Sequence, residues 1–206
     1  MSIALLQLLE DRFGGHRPRR NMLRRFRRRS AVAIVLSVRE GELYILMIKR
    51  AERKGDPWSG HMAFPGGRMD PNDSSVFATA LRETDEEIGL HLPDSASRIG
   101  RLSDIQAQPH KGMFGMIVTP YVFRLEQDVA FSPNYEVAEV VWVPLEFLLD
   151  TDNRESMVWQ RGKLSLTLPC YLYEGRRIWG MSLMMLDELM DLVEGRRNPK
   201  RKQWRR

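Results

Sequence analysis

Disulfide bracing is excluded at the outset, because the 206-residue chain carries a single cysteine, Cys170. Stability must come from a packed core, and 43% hydrophobic with 29% charged residues can build one. The lone thiol is read as a small buried hydrophobe, and the composition suits a reducing cytoplasm, which is the expected location. Long apolar runs are missing too. Nothing approaches the length of a membrane span, and the apolar stretch 3–9 lacks a preceding basic region and a small-residue cleavage pattern. No Ser/His/Asp or Cys/His grouping stands out either, and His61, His91 and His110 are isolated, which argues against a nucleophilic side chain.

Acids are absent from two segments. Residues 17–29 hold eight arginines and residues 195–206 hold seven basic residues, with no Asp or Glu in either. The formal net charge of +5 therefore belongs to the ends: fifteen of the 32 basic residues sit there, and the other 17 face 27 acids, a net of −10. An acidic body that handles polyanions needs counterions or a carboxylate site that collects metal. The ends are read as solvated, partly ordered extensions. Their alternatives are contact with nucleic acid or with an anionic membrane, since Met22, Leu23 and Phe26 interrupt one arginine run and Trp204 the other basic end.

Periodicity places a short helix over 3–13, a hairpin from the apolar runs 31–38 and 43–48, and a loop at 53–60 that leaves Trp58 in the open. A short strand at 61–64 is expected to stop at Pro65-Gly66-Gly67. Residues 76–88 read as a helix with Phe77, Leu81, Thr84 and Ile88 on one stripe, capped by Asp73, Ser74 or Ser75 and ended by Gly89. Strands follow near 116–124 and 137–143, then a short helix at 144–149, a β pair at 164–173 and 177–179, and an amphipathic helix at 181–193. The expected organisation is an N-terminal helix with an arginine-rich extension (1–29), one α+β domain (30–194) and a basic tail (195–206).

On the 76–88 helix, Glu83, Glu86 and Glu87 stand at i, i+3 and i+4, so their carboxylates converge on one face. Three like charges so close destabilise the helix and raise their own pKa values, unless a divalent ion turns them into hard oxygen ligands suited to Mg²⁺. A solvated acidic face is the plainer reading of the glutamates alone. The preceding residues decide the matter. The stretch from Gly67 through Arg82-Glu83-Thr84-Asp85-Glu86-Glu87-Ile88-Gly89-Leu90 resembles the Nudix box, whose second half it matches at every key position. Two departures stand in the first half: Gly67 lies one residue further from Arg82 than usual, and Asp73 or Ser74 replaces the first glutamate. Phe64-Pro65-Gly66-Gly67 and Asp70-Pro71-Asn72-Asp73 further resemble the coenzyme A pyrophosphatase branch. Of that branch's two upstream arginines Arg50 fits loosely, while Asp56 occupies the second position.

The resemblance implies a Nudix fold, a mixed β-sheet between helices, here with an added β pair and a C-terminal helix. It also implies hydrolysis of a diphosphate linkage in a nucleotide derivative, with coenzyme A or its acyl esters foremost. Mg²⁺ or Mn²⁺ would be bound by Glu83, Glu86, Glu87 and the Gly67 carbonyl, with Arg82 orienting the carboxylates. A general base is expected from the glutamates or from Glu136 or Glu139, of which Glu136 is preferred because it just precedes an apolar strand. Candidate substrate contacts are Arg50, Trp58, Phe64 and His110; the aromatic ones, with Phe114 and Tyr121, can stack on adenine or simply pack. His110 sits with Lys111 in a glycine-containing loop at 106–115. Homodimerisation is a family-level expectation. Two alternatives remain: another substrate, such as ADP-ribose, a dinucleotide or a nucleoside triphosphate, or a silent Nudix fold acting as nucleotide sensor or nucleic-acid-binding regulator.

Overall fold

The apolar runs of the first hairpin are uninterrupted because both faces of its strands are covered. A computed structural model, which describes residues 2–55, 58–107, 115–162 and 164–196, begins with helix α1 (Ser2–Gly15) and then β1 (Arg28–Arg39) and β2 (Glu42–Arg50). Along β1, Ile34 and Leu36 face one cluster while Ala33 and Val35 face another; along β2, Ile45 and Met47 oppose Leu46 and Ile48 in the same way. Strands buried on both faces lose the alternation that marks a half-exposed sheet.

β3 (Met62–Ala63) and β4 (Gly66–Arg68) lead into α2 (Val76–Ile88) and the single turn α3 (Leu92–Ser95). Next come β5 (Ala96–Arg101), β6 (Ile105–Ala107), β7 (Met116–Leu125), β8 (Val137–Pro144) and α4 (Leu145–Leu149). The chain continues through β9 (Arg154–Arg161), β10 (Leu164–Tyr173), β11 (Arg176–Trp179) and α5 (Gly180–Val193). The main sheet runs β3-β2-β1-β7-β5, with β8 joining β2, β4 joining β1 and β6 joining β7; β1 and β7 are parallel and the other pairings antiparallel. One face carries α1 and α5, the other α2, so the sheet lies between helices as the Nudix resemblance implies.

Four features depart from the sequence reading. The expected stop at Gly66-Gly67 is itself the strand β4, because residues without β-carbons can lie directly against β1. The expected β pair is a three-stranded sheet, β11-β10-β9. β5 and β6 complete the edge beside β7, although β5 shows no apolar alternation and β6 is only three residues long. Finally, the arginine-rich segment read as solvated runs directly into the sheet, β1 beginning at Arg28, while the N-terminal helix docks on the domain, with Leu6, Leu9 and Phe13 of α1 buried in the same cluster as Leu186 and Leu189 of α5.

Candidate functional site

Helix α2 is fixed at both ends. Ser75 caps it, its hydroxyl accepting from Ala78 N at 3.1 Å, and Val76, Ala80 and Ile88 turn into the core. Gly89 adopts the left-handed conformation (φ 68°) that ends the helix. The last carbonyls are then taken up by the segment ahead of β8. Ser132 N donates to Ile88 O at 2.8 Å, Asn134 N to Glu87 O at 2.9 Å, and the Asn134 amide to Glu86 O at 2.8 Å. The turn that carries Glu86 and Glu87 is thereby clamped from outside the helix.

Strand β4 crosses in front of that turn. Gly66 has φ 146°, and a β-carbon there would collide with Ala31 O and Val32 Cα. This approach lets Gly66 N donate to Glu87 Oε2 at 2.8 Å. At Gly67 a β-carbon would strike the Glu83 carboxylate, so the second glycine makes room for a functional group rather than for backbone. The Gly67 carbonyl accepts from the buried Ser30 hydroxyl.

Arg82 joins the parts. Its Nε and Nη2 donate to the two oxygens of Asp73 at 2.9 and 3.0 Å, Nη2 also reaches Glu83 Oε1 at 3.0 Å, and Nη1 reaches Glu86 Oε2 at 2.8 Å. Asp73 additionally accepts from Thr79 Oγ1 and from Asp70 N, both at 2.9 Å. Of the two residues offered for the box's first acid, the structure puts Asp73 in the arginine's grip and Ser74 outside it. Arg82 holds the Asp73 carboxyl well below the usual carboxylate range, and Asp73 in turn raises the guanidinium.

Burial drives the electrostatics of the remaining carboxylates. Glu87 is 3% exposed, and desolvation with the neighbouring Glu83 and Glu136 charges outweighs the Gly66 N–H and Arg50, raising its pKa to about 7. Glu83 is also raised, chiefly by burial, against the lowering influence of Arg82. Among the described residues no three ligating side chains stand together as a finished ion cage, since Arg82 draws Glu83 and Glu86 toward itself while Gly66 draws Glu87. The donor chemistry nonetheless fits a hard divalent cation: clustered carboxylate oxygens whose ionisation is penalised and which a positive charge would relieve.

The other candidates divide. Glu136 stands close enough to Glu87 to raise its pKa, with Arg53 Nη1 at 3.3 Å from Glu136 Oε1. Glu139 points elsewhere, paired with Lys49 at 3.0 Å and with Arg176, and is held low by both. Arg50 lies beside Glu87, and Trp58 is exposed on its loop. Phe64 corrects the sequence reading: it is 3% exposed within the main core cluster, because β3 and β4 flank it and turn it inward, so it has no free face for a base. Tyr121 likewise packs, edge-on to Phe77 at 5.0 Å. Asp56, His110 and Phe114 lie outside the described residues. Sequence reasoning missed Asn134 and noted Arg53 only as lying near the second-arginine position, since the roles of both arise from contacts more than forty residues away.

Comparison with known proteins agrees with this geometry. The NUDIX domain model matches residues 27–164. The chain is 32% identical over 166 residues to the mitochondrial coenzyme A diphosphatase NUDT8 of Mus musculus, covering 80% of this chain and 77% of that protein. It is 38% identical over 121 residues to the peroxisomal coenzyme A diphosphatase NUDT7 of Mus musculus, covering 58% of this chain and 48% of that protein. The crystal structure of a MutT/nudix family protein from Enterococcus faecalis superposes with a TM-score of 0.52 at 19% identity, over 82% of this chain and 62% of that one, which speaks for the fold alone.

Proposed function

The chain belongs to the Nudix family and is a pyrophosphatase-type hydrolase; from that premise we propose that it cleaves the diphosphate of coenzyme A or its acyl esters. The observation that carries the reading is the pairing of the carboxylate turn of α2 with the Gly66-Gly67 strand. The loop between them has the Asp70-Pro71-Asn72-Asp73 form, and two proteins similar to this chain are named coenzyme A diphosphatases.

In the proposed mechanism Glu83, Glu86, Glu87 and the Gly67 carbonyl would hold Mg²⁺ or Mn²⁺. When bound, the cation neutralises charge on the diphosphate and makes water more acidic. Arg82, anchored by Asp73, sets the rotamers of Glu83 and Glu86. Glu136 accepts the proton of the attacking water, whose oxygen forms the new P–O bond as the bridging P–O bond breaks and its electron pair leaves on the departing phosphate. Arg50, beside Glu87, contacts a substrate phosphate, and Trp58 offers its exposed face to the adenine.

A hydrolysis screen with Mg²⁺ or Mn²⁺ tests this, using coenzyme A, acyl-coenzyme A, ADP-ribose, dinucleotides and nucleoside triphosphates with products resolved by chromatography. Release of 3′,5′-ADP with phosphopantetheine is the expected result. Preference for another substrate would keep the chemistry and discard coenzyme A. Binding without turnover under any metal would restore the sensor reading.

A further inference from the structure

The segment joining α1 to β1 combines two properties that rarely share a surface. Residues 17–29 contain eight arginines and no acid, yet they do not trail into solvent. Arg19 N donates to Ser103 Oγ at 3.0 Å, Asn21 N to Asp104 Oδ2 at 2.9 Å, and Asp104 N returns to Arg19 O at 2.9 Å. So anchored, Asn21 caps a single 3-10 turn, Met22–Arg25, by accepting from Leu23 N at 2.9 Å, and Phe26 N closes the turn onto Leu23 O.

This fixed turn pushes apolar side chains outward. Met22 is 91% exposed, Phe26 82% and Leu23 46%. Scattered exposed apolar residues are ordinary, but three on one braced turn form a knob that water does not favour. Around it Arg19, Arg20, Arg25, Arg28 and Arg29 are all exposed. The acids nearby do not cancel this charge. Asp104 is committed to Asn21, Arg101 and Thr119, and Asp70 alone shares the shallow cleft of Arg27, Arg28 and Arg29 with Met69 and Pro71.

We propose that the 22–26 turn and its flanking arginines dock the protein on an anionic phospholipid surface. Dense anionic headgroups match the arginines, and the layer beneath them takes up Met22, Leu23 and Phe26. Nucleic acid would satisfy the charge, but bases stack on aromatic faces, and two of the three knob residues are aliphatic. The contact adjoins the functional site. Met69 N donates to Arg29 O at 2.9 Å, so docking brings the loop that enters α2 to the bilayer. The inference does not depend on which nucleotide derivative is hydrolysed.

Sedimentation of the full chain with vesicles tests it, comparing pure phosphatidylcholine with a mixture containing one third phosphatidylglycerol. The wild type should bind only the anionic vesicles and release at about 1 M salt, where the Debye length shrinks to about 3 Å. Met22→Ser/Phe26→Ser and, separately, Arg20→Ser/Arg25→Ser should each weaken partitioning about tenfold or more while turnover of a soluble substrate and melting temperature stay at wild-type values. Wild-type binding by both variants would assign the attraction to other basic residues and overturn the proposal. So would indifference to anionic vesicles, including the case in which a single-stranded RNA binds instead and loses affinity in both variants.

Discussion

Arg82 grips Asp73 through two parallel hydrogen bonds, Nε to Oδ1 at 2.9 Å and Nη2 to Oδ2 at 3.0 Å, and this pair ties the loop after β4 to the helix that carries the glutamates. The fork geometry explains why an arginine stands here and why lysine cannot replace it. Once Asp73 fixes the guanidinium plane, the remaining N–H groups aim at Glu83 and Glu86.

Asp73→Asn should cost about 1–3 kcal/mol of stability at neutral pH, because it exchanges a charge-assisted bidentate pair for a neutral one. The sign of the pH dependence follows from the depressed carboxyl. Its stabilisation is present above the unfolded value near 4 and is lost as pH falls toward the folded value. Denaturant melts of both proteins should therefore converge in acid. A constant gap between them down to low pH would show that Asp73 acts by packing alone.

For Glu87 the sign is opposite. Burial raises its pKa from 4.5 to about 7, so the metal-free protein loses stability as pH climbs through that window and the carboxylate ionises without compensation. Glu87→Gln keeps an acceptor for Gly66 N–H and removes the charge. Above pH 7 the metal-free variant should be more stable than wild type by up to about 3 kcal/mol, and the two should match near pH 4. Turnover should fall at least about a hundredfold, and Mg²⁺ should raise the melting temperature of wild type but not of the variant.

The adjacent glycines should fail differently when each is replaced by alanine. At Gly66 the new methyl meets the β1 backbone and the residue must hold φ 146°, so Gly66→Ala should destabilise the fold by more than about 1 kcal/mol. At Gly67 the obstacle is the movable end of Glu83. Gly67→Ala should leave the melting curve near wild type and depress kcat by displacing that carboxylate. Paired thermal melts and turnover assays distinguish the outcomes, and equal melting temperatures for both variants would refute the contrast.

What the sequence discloses here is what local chemistry decides. Helix α2 is legible because Ser75, the apolar stripe and Gly89 lie within one window, and the spacing of Glu83, Glu86 and Glu87 follows from the helix itself. β5 and β9 are not, since their side chains do not alternate and pairing with β7 and β10 creates the strands. The same holds at the site. Phe64 resembles a ligand-facing aromatic until β3 and β4 turn it inward, and Asp73 is separable from Ser74 only once Arg82 is in place. The arginine run looks like a tail because nothing within it reports that Ser103 and Asp104 will hold its backbone.

Glu136 and Arg53 provide the last prediction. The carboxylate stands 3.3 Å from the Arg53 guanidinium, which also lies over the Tyr135 ring at 4.6 Å, while Ala51 N donates to Glu136 O at 2.8 Å. These contacts hold the base proposed above between the β2 end and the carboxylate turn. Glu136→Gln preserves size and an acceptor for Arg53 but cannot take a proton, so kcat should drop about 10²–10⁴-fold with KM nearly unchanged. Arg53→Gln removes the guanidinium that holds the carboxylate in place, and should lower kcat by a smaller factor than Glu136→Gln because the base itself is kept. A Glu136→Gln enzyme with normal kcat would pass the role of base to one of the α2 glutamates and leave Glu136 a positioning partner for Arg53.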